Sequence, residues 1–412
     1  MNSTLNTRLR TLWVSPEPAA TEPFPSRVRT TAWDRIGNSI LWPLAMILVA
    51  HRLIILSING DVTDDFSTVY YALRRFIEGV PVYNENYHHV DPHYLYSPGA
   101  TLLLSPLGFL GHFGLARLGF IGVNALAIIL AIGLLTRMFG FSLRSFVWPL
   151  SISLAFLTES VRSTLIFSNI NGILLLALCG YFFLLLRDKQ WWAGVVIGVA
   201  ILIKPLFLPL LFLPLVKLQW RAIVVGLVVP VLFNLAALPL IKDVNDYSER
   251  LLPYLGQTRD YFNSSLPGIA LYYGMPTALK LMLFAVFAAA VAVGVIMLLR
   301  WRYSDPLFWM TTTSTLLLSG VFFLSSLGQM YYSMMFFPMM FTVVLRKSVL
   351  HSWVAWVAVY CFFSPDSWVS HRWYAISRWT AFTLPTVGWG LLILVIATAA
   401  ATWWWNERRS EG

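Results

Sequence analysis

The chain has 412 residues; 58% are apolar types, 12% are charged and 15% are Phe, Trp or Tyr. Charged residues run at about half their usual globular share of about 25%, and mean hydropathy is +0.69. This excludes a soluble enzyme, a disordered chain and a disulfide scaffold, and it points to an all-α polytopic membrane protein. The net charge of +10 calls for no nucleic acid, because it gathers in short segments between apolar runs, as the positive-inside bias does.

Residues 1–35 are polar and basic and lack the apolar core of a signal peptide. They are expected to form a cytoplasmic N-terminal segment ahead of a membrane domain over 36–405 and a cytoplasmic tail over 406–412. About 18–20 apolar residues cross a bilayer. Apolar runs lie near 38–59, 116–137, 146–165, 171–186, 220–240, 277–299, 307–325, 330–345, 349–363 and 383–405. Two shorter runs, 191–203 and 205–216, meet at Lys204-Pro205. Proline removes a backbone donor, so a break there needs protein or a cavity to receive the freed groups. The count is twelve crossings, or eleven. Twelve keeps the basic clusters on one side with the N-terminus inside: Arg8 to Arg35, Arg137 and Arg144, Arg187 and Lys189, Lys217 and Arg221, Arg300 and Arg302, Arg346 and Lys347, Arg408 and Arg409. The cysteines Cys179 and Cys361 sit in apolar runs and read as buried spacers.

The opposite face then carries the long connections, near 60–115, 241–276 and 364–382, with most of the remaining carboxylates. In the first of these, Asp61, Asp64 and Asp65 follow the first crossing. Phe66, Val69, Tyr70, Leu73, Phe76 and Ile77 then recur at helical spacing up to Gly79. The spacing predicts an amphipathic helix at the membrane surface, with Asp64 or Asp65 at its N-terminus, where the dipole favours a carboxylate. Either aspartate is a cap or a catalytic base held at headgroup level beside an apolar groove. His88, His89 and His93 with Asp91 lack the spacing of a helical metal site and read as an interfacial loop. A second amphipathic run follows over 99–112.

These residues resemble the opening of the bacterial GT-C glycosyltransferases that use polyprenyl-phosphate sugars. The matching stretch is Asp65-Phe66, Tyr70, Gly79, Tyr83 and Tyr96-Ser97-Pro98. Farther on, Phe167-Ser168-Asn169-Ile170-Asn171 resembles the family's G-Q-x-N turn with only Asn171 kept. Lys204-Pro205 resembles its K-P break, and Asn263-Ser264-Ser265-Leu266 its N-Q-S-L. Tyr331 and Tyr332 stand where the family usually carries a histidine pair, so no histidine role carries over. Within the family the runs TDDF, FSNING, KPL, TRDYFNSS and YYSMM are most similar to the arabinofuranosyltransferases that branch cell-wall arabinan.

The resemblance implies a GT-C fold and a plasma-membrane enzyme with its active site on the outer face. It implies decaprenyl-phosphoryl-arabinofuranose as donor and α-(1→5)-arabinan, of arabinogalactan or lipoarabinomannan, as acceptor. The acceptor 3-hydroxyl would attack with inversion, so one carboxylate must take its proton. Asp65 is the expected base, with Asp64 as its alternative. A leaving phosphate needs cations rather than a second acid. Lys204 and Arg259 are the expected phosphate partners, since facing lipid unpaired is costly for a lysine inside an apolar run. Tyr70, Asn171, Asn263, Gln329 and Asp260 are expected substrate contacts. No cofactor is expected and no metal is required, although Asp61, Asp64 and Asp65 are compatible with a divalent ion. The competing readings are a polyprenyl-phosphate-mannose mannosyltransferase acting on a glycolipid, and a membrane transporter.

Overall fold

The computed structural model describes residues 13–14, 31–59, 65–87, 92–365 and 370–410. Asp61, Asp64, His88, His89 and Asp91, and most of the N-terminal segment, lie outside them. The described residues form helices and connecting turns, with no strand among them. Among the described residues six helices are long and apolar enough to cross a membrane: Ala32–Ile58, Phe113–Met138, Trp220–Leu240, Thr277–Trp301, Pro306–Leu324 and Thr383–Arg409. Six shorter apolar helices accompany them: Val147–Leu157, Asn171–Leu186, Gln190–Ile203, Pro205–Val216, Met330–Val344 and Trp353–Phe363. The protein is therefore an all-α, membrane-embedded chain.

The apolar segments read from the sequence coincide in position with these helices, with one departure. The run 146–165 is not continuous. It breaks at Thr158, whose extended backbone (φ −68°, ψ 147°) caps a second, short helix, Glu159–Ile166. Glu159, Arg162 and Ser163 on that helix bond to one another, which gives a polar turn inside an apolar stretch somewhere to go. The short helix leads directly into the Phe167–Asn171 turn. Lys204-Pro205 breaks the chain as its proline requires. Lys204 is extended (φ −136°, ψ 104°), and Pro205–Leu211 continues as a tighter 3-10 helix.

Burial separates a centre from a rim. Over their most apolar stretches Pro306–Leu324 is 83% buried, whereas Ala32–Ile58 is 6% buried and shows its apolar side chains outward, as a lipid-facing helix does. One close contact has a plain sequence cause. Gly194 and Gly198 are one turn apart on Gln190–Ile203, and a Cβ on Gly194 would lie 2.9 Å from the Ala222 carbonyl oxygen of the neighbouring helix. Small residues at this spacing let two membrane helices approach closely.

The first long connection folds onto this bundle. Its helix, Asp65–Ile77, buries Phe66, Val69, Tyr70, Ala72 and Leu73, the face that helical spacing predicts. It stops just before Gly79, whose φ of +68° only glycine adopts without strain. Val82, Tyr83, Tyr87 and Tyr94 then pack with Ala237, Ile241 and Leu251, so the first long connection and the 241–265 segment share one small apolar core.

Candidate active site

The site grows from three chain breaks that meet: the start of Asp65–Ile77, the turn at 167–171 and the break at Lys204. The Asp65 backbone N–H donates to the Phe167 carbonyl at 2.9 Å, which ties the helix Asp65–Ile77 to the turn. That turn closes the helix Glu159–Ile166 through Ser168, a non-glycine residue in the left-handed region (φ 51°). The Asn169 N–H bonds back to the Thr164 carbonyl at 2.8 Å. Such a backbone is costly and persists where its surroundings over-determine it.

Asn169 then joins the two charged groups. Its Nδ2 donates to Asp65 Oδ2 at 2.5 Å, and its Oδ1 accepts from Lys204 Nζ at 2.9 Å. The chemistry of the partners fixes the amide's orientation: a carboxylate only accepts and an ammonium only donates. Tyr331 Oη donates to the same Asp65 oxygen at 3.4 Å. Lys204 also donates to Asn171 Oδ1 at 2.8 Å, and its Nζ lies 5.0 Å from the Tyr332 ring centroid and 5.6 Å from that of Tyr331. Two of the three ammonium protons are thus committed to amide oxygens, and the rings cover the rest of the charge without neutralising it. Asp65 and Lys204 are held as a separated pair with an amide between them.

This array lines a cavity of about 410 Å³. Asp65, Lys204, Arg259 and Gln329 line it. Asn171 stands behind Lys204, wholly buried, and reaches the cavity only through the ammonium. Asn263 does not line it. Its Nδ2 donates to the Arg259 and Ser326 carbonyls, and its Oδ1 accepts from the Ser265 and Gly328 N–H groups. It therefore pins the 257–265 loop to the 325–329 segment that carries Gln329. Tyr70 also lies outside, with its hydroxyl on the Leu110 carbonyl. Asp260 is exposed and is not part of the lining. Asp64 is outside the described residues.

Three residues that the sequence reading gave no site role, Asn169, Tyr96 and Tyr254, also face the cavity. The signal for Asn169 was a second asparagine two residues before Asn171. Burial, with the Asp65 charge adding to it, holds the Tyr96 phenol well above its ordinary pKa, so it stays neutral and does not compete as a base. His93 lines the cavity too, and its Nδ1 lies 3.4 Å from Glu85 Oε2. Among the described residues no group of three or more His, Cys, Asp and Glu is arranged to hold a metal ion.

A carboxylate and an ammonium in one cavity, lined by apolar helices and by residues of two long connections, suit transfer of an activated group. Comparison with known proteins gives the family. The profile of Glycosyltransferase family 87 matches residues 94–326. A protein of Corynebacterium glutamicum named α-(1→3)-arabinofuranosyltransferase is 58% identical over 395 residues, covering 96% of this chain and 94% of its own. Proteins of the same name from Mycobacterium tuberculosis and Mycolicibacterium smegmatis are 46% and 43% identical, each covering 90% of this chain and 87% of their own. The chain therefore belongs to glycosyltransferase family 87, in one group with these arabinofuranosyltransferases.

Proposed function

We propose that this glycosyltransferase moves an arabinofuranosyl group from decaprenyl-phosphoryl-arabinofuranose to the 3-hydroxyl of an α-(1→5)-arabinan, forming an α-(1→3) branch. The observation that carries the reading is the Asp65–Asn169–Lys204 array lining the cavity, taken with the name its relatives share. The donor is β and the product α, so the step is a single inverting displacement. The acceptor oxygen bonds to the anomeric carbon while the bond to the phosphate oxygen breaks. Asp65 takes the hydroxyl proton as that bond forms. The lipid phosphate leaves as an anion, and the remaining N–H of Lys204 meets its charge in a place where water is scarce. No second acid is needed, unlike hydrolysis of a glycoside.

The twelve apolar helices are twelve crossings in this reading, with Asp65–Ile77 and Pro98–Leu104 lying at the outer interface. The basic clusters support cytoplasmic termini, and in this reading the cavity opens to the outer face of the plasma membrane. Leu202, Ile203, Leu206, Val321 and Phe322, on the membrane side of the cavity, would receive the first isoprene units. Reconstitution with a synthetic lipid-arabinose donor and a linear arabinan oligomer tests the function. The reading predicts 3,5-branched arabinose by linkage analysis, and branching from lipid-mannose but not lipid-arabinose would refute it.

Asn169 gives a prediction of its own. Asn169→Ala removes one charge-assisted bond from each partner, and kcat is expected to fall about 10- to 100-fold. Asn169→Asp adds a carboxylate beside Asp65. Like charges raise the pKa of the group that must be deprotonated, so the acid limb of the kcat–pH profile moves to higher pH. An unchanged limb in that variant would separate Asn169 from the base.

A further inference from the structure

Asp65 and Lys204 are bridged twice. Asn169 is one bridge. Tyr331 is the other, and it comes from a segment 266 positions along the chain from Asp65. Its hydroxyl meets the carboxylate, and its ring centroid lies 5.6 Å from the Lys204 ammonium. Three atoms close a triangle: Asn169 Nδ2 to Asp65 Oδ2 at 2.5 Å, Asn169 Nδ2 to Tyr331 Oη at 3.4 Å, and Tyr331 Oη to Asp65 Oδ2 at 3.4 Å. The triangle fixes every proton in it. An amide nitrogen carries two N–H groups, and a carboxylate only accepts. One N–H goes to the acid and the other to the phenol oxygen, so the phenol proton points to the acid. The ring has little freedom to turn away. Tyr331 is 7% exposed. It meets the Tyr332 ring edge-on at 5.1 Å, and Tyr332 packs on Phe322 at 5.2 Å.

We infer that Tyr331 is a positioning residue for the transfer: its hydroxyl fixes the direction of the Asp65 carboxylate and favours its ionised form. The inference rests on the proposed function and deepens it. A hydrogen bond donated to a carboxylate stabilises the anion over the acid, and surroundings of low polarity strengthen that bond. Both bonds to the phenol are long, 3.4 Å against 2.5 Å for the amide, so Asn169 carries the larger share and Tyr331 a smaller one. The other titratable groups whose charges act with that of Asp65 are Lys204, Tyr96 and Tyr332. Arg259 acts in turn on Tyr331 and Tyr332. Of the three phenols, Tyr331 is the one that donates to the acid among the described residues; Tyr332 bonds to Tyr331 instead.

The test is the pH dependence of kcat for the reconstituted full chain, at saturating lipid-arabinose and arabinan oligomer. Tyr331→Phe keeps the ring and removes the hydroxyl. The carboxylate then loses a donor but must still be ionised to act, so the acid limb should move up by roughly half to one pH unit. The plateau above the limb should fall by no more than about tenfold, because Asn169 still holds the acid. Tyr332→Phe removes a neighbouring phenol that does not donate to the acid, and its limb should stay at the wild-type pH. The position of a limb does not depend on how much of the protein is folded, so a lower yield of either variant leaves the reading intact. A limb that stays in place in Tyr331→Phe would reduce Tyr331 to packing and overturn the inference, and so would an equal movement in Tyr332→Phe. If wild type forms no arabinosyl branch at any pH, the proposed function fails instead, so the two failures are distinct.

Discussion

Asp65→Asn is expected to lower the transfer rate by about 10²- to 10⁴-fold, the usual contribution of a positioned general base. The substitution leaves shape almost unchanged. The amide oxygen of an asparagine at this position still accepts from Asn169 Nδ2 and from Tyr331 Oη, and the backbone bond to Phe167 is untouched. What it removes is the capacity to take a proton. The variant should therefore melt within a few degrees of wild type and bind the lipid donor with similar affinity. A rate near wild type would remove Asp65 from the chemistry. Loss of donor binding in parallel with rate would show that the carboxylate holds the array together rather than acting on the acceptor.

The second large effect belongs to Lys204. Lys204→Met is expected to reduce kcat by about 10²- to 10³-fold, comparable with removing one donor from a preorganised anion site. Stability should move little, because two terms oppose each other. Removing an ammonium from an apolar run relieves a cost of about 2.5–3.5 kcal/mol. It also leaves the Asn169 and Asn171 carbonyl oxygens without their donor, at about 1–3 kcal/mol each. Lys204→Arg should not restore activity. A planar guanidinium does not fit the place of a compact ammonium that is buried between two amide oxygens and two rings. A single-turnover assay read beside a thermal melt separates the two quantities. Normal turnover in Lys204→Met would place the leaving phosphate elsewhere.

These expectations draw on parts of the molecule that were unequally legible. Apolar length reports membrane helices because lipid leaves the backbone no other partner, and Lys204-Pro205 announced its break because proline cannot complete one. The break at Thr158 stayed hidden. A run of apolar residues on both sides outweighs one polar turn, and only the Glu159–Arg162–Ser163 bonds show why the chain bends there. The helix Asp65–Ile77 was legible from Phe66 to Ile77 because burying one face imposes a period. The site was legible as a set of chain breaks and less so as side chains. Spacing brings Asp65, Lys204 and Gln329 to one cavity. It carries no information on direction, so Asn263, whose bonds run to backbone, looked the same as a residue that faces substrate. Asn169 shows this most clearly. Its role depends on an ammonium 35 positions later and a carboxylate 104 positions earlier, and no local pattern records that.

The central claim is that the Asp65 carboxylate, held beside the Lys204 ammonium, deprotonates the incoming hydroxyl. Linkage analysis of arabinan treated with wild type, Asp64→Asn and Asp65→Asn, in the same liposomes and with the same lipid-arabinose, tests it most directly. The account predicts 3,5-branched arabinose from wild type and from Asp64→Asn, and none above background from Asp65→Asn. Branching by Asp65→Asn together with its loss in Asp64→Asn would contradict it.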